Sequence, residues 1–120
     1  VQQVAESQGA TATIYIDSGA PVTYNDLALT TQLVPTLKEI YGEDQVMLTD
    51  RVGLAEDFSF FQERVPGFFF FIGGRPRDIP ASEAIPNHSP FFYVDEGALP
   101  LGVHGMSRLA ADYLRGRKGE

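Results

Sequence analysis

Apolar residues recur three or four positions apart at the start of the chain, the spacing that places side chains on one face of a helix. Val1, Val4 and Ala5 form this stripe, and Gly9 follows at the position of a C-cap. The pattern predicts the last turns of a helix. Because the pattern contains no helix start, the chain is expected to be part of a longer protein.

A second helix is predicted from an N-cap at Asn25 or Asp26 to about Tyr41, with Gly42 as its C-cap. Its apolar face contains Leu33, Leu37, Ile40 and Tyr41. Pro35 lies inside this pattern. Because proline lacks the N–H that an interior turn donates, it is expected to kink the helix or to separate its first turn.

Two further helices are predicted in the second half of the chain. The first is short, from about Glu56 to Arg64, with acidic residues in its first turn, where the helix dipole favours them. The last runs from about Asp95 or Glu96 to Leu114. Its predicted buried stripe consists of Val103, Met106, Ala110 and Tyr113.

Three stretches have the composition of β-strands. Residues 10–17, ATATIYID, alternate, which predicts a strand with one apolar face. Residues 45–49, QVMLT, form a short candidate, and residues 68–74, FFFFIGG, read as a strand covered on both faces. Helices and strands therefore alternate, and we predict an α/β fold in which helices pack on a mostly parallel sheet.

The composition is that of a globular protein, with 43% hydrophobic and 21% charged residues in a chain of 120, enough for one domain or part of a larger one. A formal net charge of −7 opposes binding to nucleic-acid phosphates. No apolar run has the length of a membrane span, so no membrane partner is expected, and no signal peptide is recognisable. A cytoplasmic location is expected, with which the absence of cysteine is compatible. The absence of cysteine excludes disulfides and thiolate metal ligands within the chain.

Candidate chemistry centres on His88, in the turn PNHSP at the end of a long loop, residues 74–90. Three interpretations stay open from the residues alone: a metal ligand, a catalytic base, or a loop histidine bonded to backbone. Imidazole is a common metal ligand, but a catalytic zinc site needs about three protein ligands. His104 lies in the middle of the last predicted helix, beside its apolar stripe, and is expected to be structural.

A second candidate is the segment GLAEDFSFF, residues 53–61. Gly53 precedes Glu56 and Asp57 at a predicted helix start, where two carboxylates and free amide groups could face one point. Ordinary capping of the helix is the alternative. The phenylalanines are most simply core residues, and none of the common nucleotide-binding, nucleophile or HExxH motifs occurs.

Four segments, taken in order, resemble one family: TYNDLAL, GLAEDFSFF, VPGFFFFIGG and NHSPFFYVDEGALPLGV. They are similar to the carboxyl-terminal part of the metal-dependent amidohydrolases, which include hippurate hydrolase, N-acyl-amino-acid amidohydrolases and indoleacetyl-amino-acid hydrolases. The resemblance begins at about Gly9. It implies that residues 1–21 end an inserted lid and dimerisation domain. Residues 22–120 would then form the carboxyl-terminal part of a layered catalytic domain.

The resemblance also implies a site. His88 would be a ligand in a centre of two divalent metal ions (zinc, manganese, cobalt or nickel), and Glu56, Asp57, Gly53 and Asn25 would contact the substrate or support the ligands. The other ligands and the catalytic glutamate lie upstream in the family, so no catalytic residue is expected here and the chain alone should be inactive. The implied reaction is cleavage of N-acyl amino acids or small peptide-like amides by a homo-oligomeric enzyme. The rival hypothesis is a non-catalytic α/β fragment or interaction module that binds no metal on its own.

The two kinds of predicted strand carry a further expectation. Residues 10–17 have one apolar face and residues 68–72 have two, so they should belong to different sheets. Residues 1–21 should therefore not share a core with the rest of the chain. The chain alone should expose apolar surface and associate.

Overall fold

The computed structural model describes residues 1–17 and 19–116, and its regular elements are helices. Ser18 lies outside the described residues, as do residues 117–120, which end the predicted catalytic segment. The four α-helices are α1 (Gln2–Ser7), α2 (Leu27–Tyr41), α3 (Phe58–Gln62) and α4 (Ala98–Gly116). Two 3₁₀ turns, Glu43–Gln45 and Ala81–Glu83, lie between them.

The ends of α2 form as the local sequence predicts. Asp26 is the N-cap, and its Oδ1 accepts a hydrogen bond from the backbone N–H of Leu29 at 2.8 Å. Gly42 ends the helix with a φ of 98°, and its N–H donates to the Lys38 carbonyl at 2.9 Å. The helix continues through Pro35, so Pro35 does not separate the first turn; a kink at this residue stays a prediction. The predicted Gly9 cap is also observed, with a φ of 70° directly after α1 and its C-cap residue.

The predicted α/β fold is wrong, because no residue in the described ranges is part of a strand or sheet. A strand exists only where its backbone bonds to a neighbouring strand. Residues 11–17 make no backbone–backbone hydrogen bond to the described chain. Residues 68–74 make isolated bonds only, such as that from the Asp95 N–H to the Gly74 carbonyl at 2.7 Å. The apolar pattern is present at both places, but no paired strand accompanies it.

The core lies between α2 and α4, where Leu33 and Leu37 pack against Leu109. The predicted buried stripe of α4 is wrong at Val103 and Met106, which are 70% and 61% exposed, whereas Tyr113 packs against the core. The helix instead buries the neighbouring face, which carries Ala98, Gly105 and Leu109. Small residues on this face let α2 approach closely, whereas Met106, Ala110 and Tyr113 line an apolar groove of about 670 Å³ between α2, α3 and α4.

A polar network joins α2 and α4 beside this core. The Thr36 hydroxyl donates to the Asp112 carboxylate at 3.0 Å, and Arg108 donates to both Asp112 and Glu39. The Thr36 hydrogen bond, with the nearby Arg108 guanidinium, lowers the pKa of Asp112 below its usual value, although burial acts in the opposite direction. The network therefore favours the ionised carboxylate at the helix contact.

Residues 1–17 lie apart from this core. α1 packs against none of the other helices, and Ile14 and Ile16 are 50% and 83% exposed. Phe71 is also exposed, so the expected exposure of apolar side chains is observed. The radius of gyration is 20.6 Å; a compact domain of this length would have about 14 Å. The division into two domains at residues 21 and 22 stays a prediction.

The contact between α2 and α4 predicts a specific effect of adding one methyl group. A Cβ at Gly105 would lie 2.1 Å from the Tyr41 hydroxyl oxygen, which donates to the Leu101 carbonyl at 2.6 Å. Gly105→Ala should therefore lower the free energy of unfolding by about 1–3 kcal/mol through overpacking. The higher helix propensity of alanine offsets about 1 kcal/mol of this loss. In a Tyr41→Phe background the same change should cost less, because the obstructing oxygen is gone and the nearest ring atom lies 3.2 Å from the added Cβ.

Urea unfolding followed by circular dichroism at one fixed protein concentration measures this difference. Gly53→Ala is the control, since a Cβ there would meet no described atom within 4 Å. An equal cost of Gly105→Ala with and without the Tyr41 hydroxyl would contradict the packing argument.

Candidate functional site

His88 occupies an unusual backbone conformation. Its φ is 81°, and it is the one non-glycine residue with positive φ in the described ranges. The left-handed region costs a side-chain-bearing residue about 1–2 kcal/mol. Histidine is among the residues that tolerate it best. Strain of this kind concentrates at functional sites, so the conformation supports a hypothesis of function for His88.

The turn around His88 is closed by hydrogen bonds through the next residue. The Ser89 N–H donates to the Pro86 carbonyl at 3.2 Å, and the Phe92 N–H donates to the Ser89 carbonyl at 3.1 Å. The Ser89 hydroxyl oxygen accepts the Phe91 N–H at 3.2 Å. Ser89 was not among the residues predicted from the sequence, although a serine can accept the N–H two residues on, a signal that can be recognised beforehand.

The imidazole of His88 is accessible. The residue is exposed, and its ring makes no hydrogen bond to the described residues. No group of three or more histidine, cysteine or acidic residues in the described ranges could hold a metal ion. Within the described residues His88 is not part of such a group, and its role as a metal ligand stays a prediction. His104, on α4, is exposed rather than packed in the core.

An apolar groove of about 520 Å³ lies beside this turn. Asn87, the residue before His88, lines it, as do Phe71, Phe92 and other apolar side chains. Its two charged lining residues are Arg75 and Glu83. The Arg75 guanidinium donates to the carbonyls of Pro76 and Ile79 and so ties the start of the long loop together. The groove can accept an apolar group beside Asn87.

Asn25 uses its side-chain amide to hold two segments together. Its Nδ2 donates to the Phe69 carbonyl at 2.8 Å, and the Phe69 N–H donates to its Oδ1 at 2.7 Å. Gln62 forms the same two-bond contact with the backbone of Tyr24, at 2.7 and 3.1 Å. The N-cap role considered for Asn25 belongs to Asp26 instead. A contact of Asn25 with substrate stays a prediction.

The acidic segment before α3 has local contacts. Asp57 occupies the N-cap position without a side-chain hydrogen bond there, and the Glu56 carboxylate accepts the Phe58 N–H at 3.2 Å. Ser59, which is 1% exposed, donates to the Glu56 carbonyl at 2.6 Å. A Cβ at Gly53 would meet no described atom within 4 Å, so its neighbourhood is open. The proposed substrate contacts of Gly53, Glu56 and Asp57 stay predictions.

Comparison with known proteins identifies the family. The model of peptidase family M20/M25/M40 matches residues 6–112. IAA-amino acid hydrolase ILR1-like 6 of Arabidopsis thaliana is 33% identical over 94 residues, 78% of this chain and 20% of its own length. Thermostable carboxypeptidase 2 of Saccharolobus solfataricus is 33% identical over 114 residues, 94% of this chain and 28% of its own length. The putative amidohydrolase YhaA of Bacillus subtilis is 28% identical over 113 residues, 94% of this chain and 28% of its own length.

These relatives are much longer than the chain, which spans between a fifth and under a third of their lengths. No solved structure gives a significant match. Among the described residues, no helix has the length and apolar character needed to cross a membrane. The relatives are hydrolases by name, and the family model covers nearly all of the sequence, which confirms the resemblance. The chain therefore belongs to peptidase family M20/M25/M40.

Proposed function

We propose that the chain is the carboxyl-terminal portion of a metal-dependent amidohydrolase that cleaves N-acyl amino acids or small peptide-like amides. The family match supports an amide-bond hydrolase. The observation that carries the finer proposal is the exposed imidazole of His88, presented in a left-handed turn beside an apolar groove. The term "complete enzyme" denotes a polypeptide in which this chain follows the upstream segments that its relatives have.

In this proposal His88 contributes one ligand to a centre of two divalent ions, taken from zinc, manganese, cobalt or nickel, and upstream residues contribute the others. A bound divalent ion supplies an activated water and polarises the amide carbonyl. The residues of this chain bind and orient: His88 holds its position in the turn, and the neighbouring apolar groove accepts an apolar part of the substrate. A homo-oligomeric state and a cytoplasmic location complete the proposal.

The relatives' names support two substrate classes. The plant relative is named for hydrolysis of amino-acid conjugates of IAA, and the archaeal relative is named a carboxypeptidase. The apolar lining of the groove favours an apolar acyl group or side chain over a charged one, because burying an unpaired charge there would be costly. We therefore place N-acyl amino acids with apolar acyl groups first and carboxypeptidase-like substrates second.

Enzyme assays test the proposal directly. The complete enzyme, supplied with zinc, manganese or cobalt, should hydrolyse hippurate-like amides. The chain alone should not, because its described residues do not form a complete metal site. The control is the same assay after washing with a chelator. Turnover by the chain alone that survives the metal-free controls and is lost in His88→Ala would contradict the requirement for upstream segments, and inactivity of the complete enzyme on all amides would favour the non-catalytic module.

A further inference from the structure

We propose that Arg75 binds the free carboxylate of the substrate, while the apolar groove that Arg75 lines receives the substrate's apolar group. The inference rests on the proposed hydrolysis of N-acyl amino acids and deepens it, because it names a residue that distinguishes the acid from its neutral amide. In this proposal Arg75 determines specificity and takes no part in breaking the bond.

The Arg75 guanidinium is anchored at one nitrogen and available at the others. Its hydrogen bonds to the described residues both leave from Nη1, which donates to the carbonyl of Pro76 at 3.4 Å and to the carbonyl of Ile79. A guanidinium has five N–H donors in one planar fork, so donors on Nε and Nη2 stay available. A carboxylate can accept two such parallel donors at once. Because the group is already held by the backbone, it loses little freedom when it binds one.

The positive charge of Arg75 has no partner in the described structure. The ion pairs of the described residues use Lys38, Arg108 and Arg115, and none of them uses Arg75. Glu83, the other charged residue that lines the groove, does not pair with it. An unpaired guanidinium beside an apolar surface is complementary to a ligand that has one carboxylate and one apolar group.

The groove has the dimensions and the lining for the apolar part of such a ligand. Its volume of about 520 Å³ lies within the range of about 300–1,000 Å³ that is usual for small-molecule sites. Phe71 and Phe92 contribute aromatic surface to it. N-benzoylglycine has both required features, an aromatic ring and a carboxylate. N-benzoylglycinamide has the same ring and a neutral carboxamide, so the two molecules differ in the group that Arg75 would bind.

The experiment titrates each of these two probes into the chelator-stripped complete enzyme by calorimetry. Without metal, neither turnover nor a bound ion can account for a difference between the acid and the amide. The wild type should bind the acid more tightly. Arg75→Ala should weaken binding of the acid by about 3- to 10-fold, the range expected for a charge-assisted contact at an exposed residue. Binding of the amide should stay unchanged.

Three further variants separate the carboxylate contact from other effects of the change. Arg75→Lys keeps the positive charge without the fork and should lie between wild type and Arg75→Ala. Glu83→Gln removes a negative charge from the groove and should strengthen binding of the acid. Arg77→Ala is the matched control, because Arg77 is exposed, does not line the groove and makes no hydrogen bond or ion pair with the described residues. It should keep the wild-type preference.

The two probes and the assay of hydrolysis distinguish failure of this inference from failure of the proposed function. Equal binding of acid and amide by wild type, binding of neither, or an unchanged preference in Arg75→Ala would overturn the role of Arg75. An equal loss for both probes, or the same loss in Arg77→Ala, would also overturn it, since the cause would then be the loop or the overall charge. A preference that Arg75→Ala abolishes, in a complete enzyme that hydrolyses no amide, would retain the carboxylate site and refute the hydrolase.

Discussion

Replacing His88 with alanine in the complete enzyme should lower metal occupancy and hydrolysis together, by about 100-fold or more in affinity. Residues that only orient a ligand typically change metal affinity or activity by about 10- to 100-fold, so loss of a ligand itself should exceed that range. The imidazole is exposed and makes no hydrogen bond to the described residues, so its removal should leave the fold intact. Elemental analysis after dialysis, together with kcat/KM on a hippurate-like amide, measures both effects.

Two control variants separate the loss of a metal ligand from the loss of any histidine and from a change in the turn. His104→Ala removes the other histidine, which is exposed on α4, and should keep full occupancy and activity. His88→Asn keeps a residue that tolerates the left-handed region but removes the imidazole. It should lose metal as His88→Ala does. Full occupancy with full activity in His88→Ala would return His88 to the interpretation of an ordinary loop histidine.

Features set by neighbouring residues could be predicted from the sequence. The Asp26 cap, the Gly42 end and the glycine after α1 each depend on contacts within a few positions. The strands could not be predicted in the same way. The alternation of residues 10–17 and the apolar run at residues 68–74 define which faces are apolar, but a strand also needs a distant partner. No such partner strand is present among the described residues. The apolar pattern is therefore there, but no strand forms.

The buried face of α4 shows a second reason why prediction from the sequence can fail. Apolar residues mark the stripe containing Val103 and Met106, but α2 packs on the adjacent face. Gly105 lets Tyr41 approach within a distance that any Cβ would prevent. Close approach can decide which face a helix buries as strongly as apolarity does, and the approach depends on the partner helix.

The candidate site also has features that could be predicted from the sequence and features that could not. His88 could be proposed as a candidate from its turn and from the family resemblance. The family match confirms the resemblance, whereas the role of His88 stays a prediction. Its left-handed backbone could not be identified, because it depends on how the whole turn closes. The roles of Asn25 and Gln62 were missed because their backbone partners lie 44 and 38 residues away. A side-chain amide carries no local mark that it will bridge such a distance.

The chain alone should associate in solution, with a sedimentation coefficient that rises with concentration in the micromolar range. Its folded core is small, and large apolar side chains remain exposed in every part of the described structure, among them Ile16, Leu48, Phe61, Phe91 and Met106. Contiguous apolar surface of more than a few hundred Å² is rare on monomeric proteins and drives association. The groove between α2, α3 and α4, lined by Phe61 and Met106, is a large concave part of this surface.

A pair of charge variants tests whether this groove drives the association. Met106→Lys places an ammonium group in the groove, where burying it against a second copy would be costly. Leu48→Lys adds the same charge at an exposed apolar residue outside the groove. Each adds one positive charge to a chain of formal net charge −7, which by itself reduces the repulsion between copies. Reduced association in Met106→Lys alone would therefore arise from the groove, whereas a compact monomer at every concentration in the unmodified chain would show that its exposed apolar surface needs no partner.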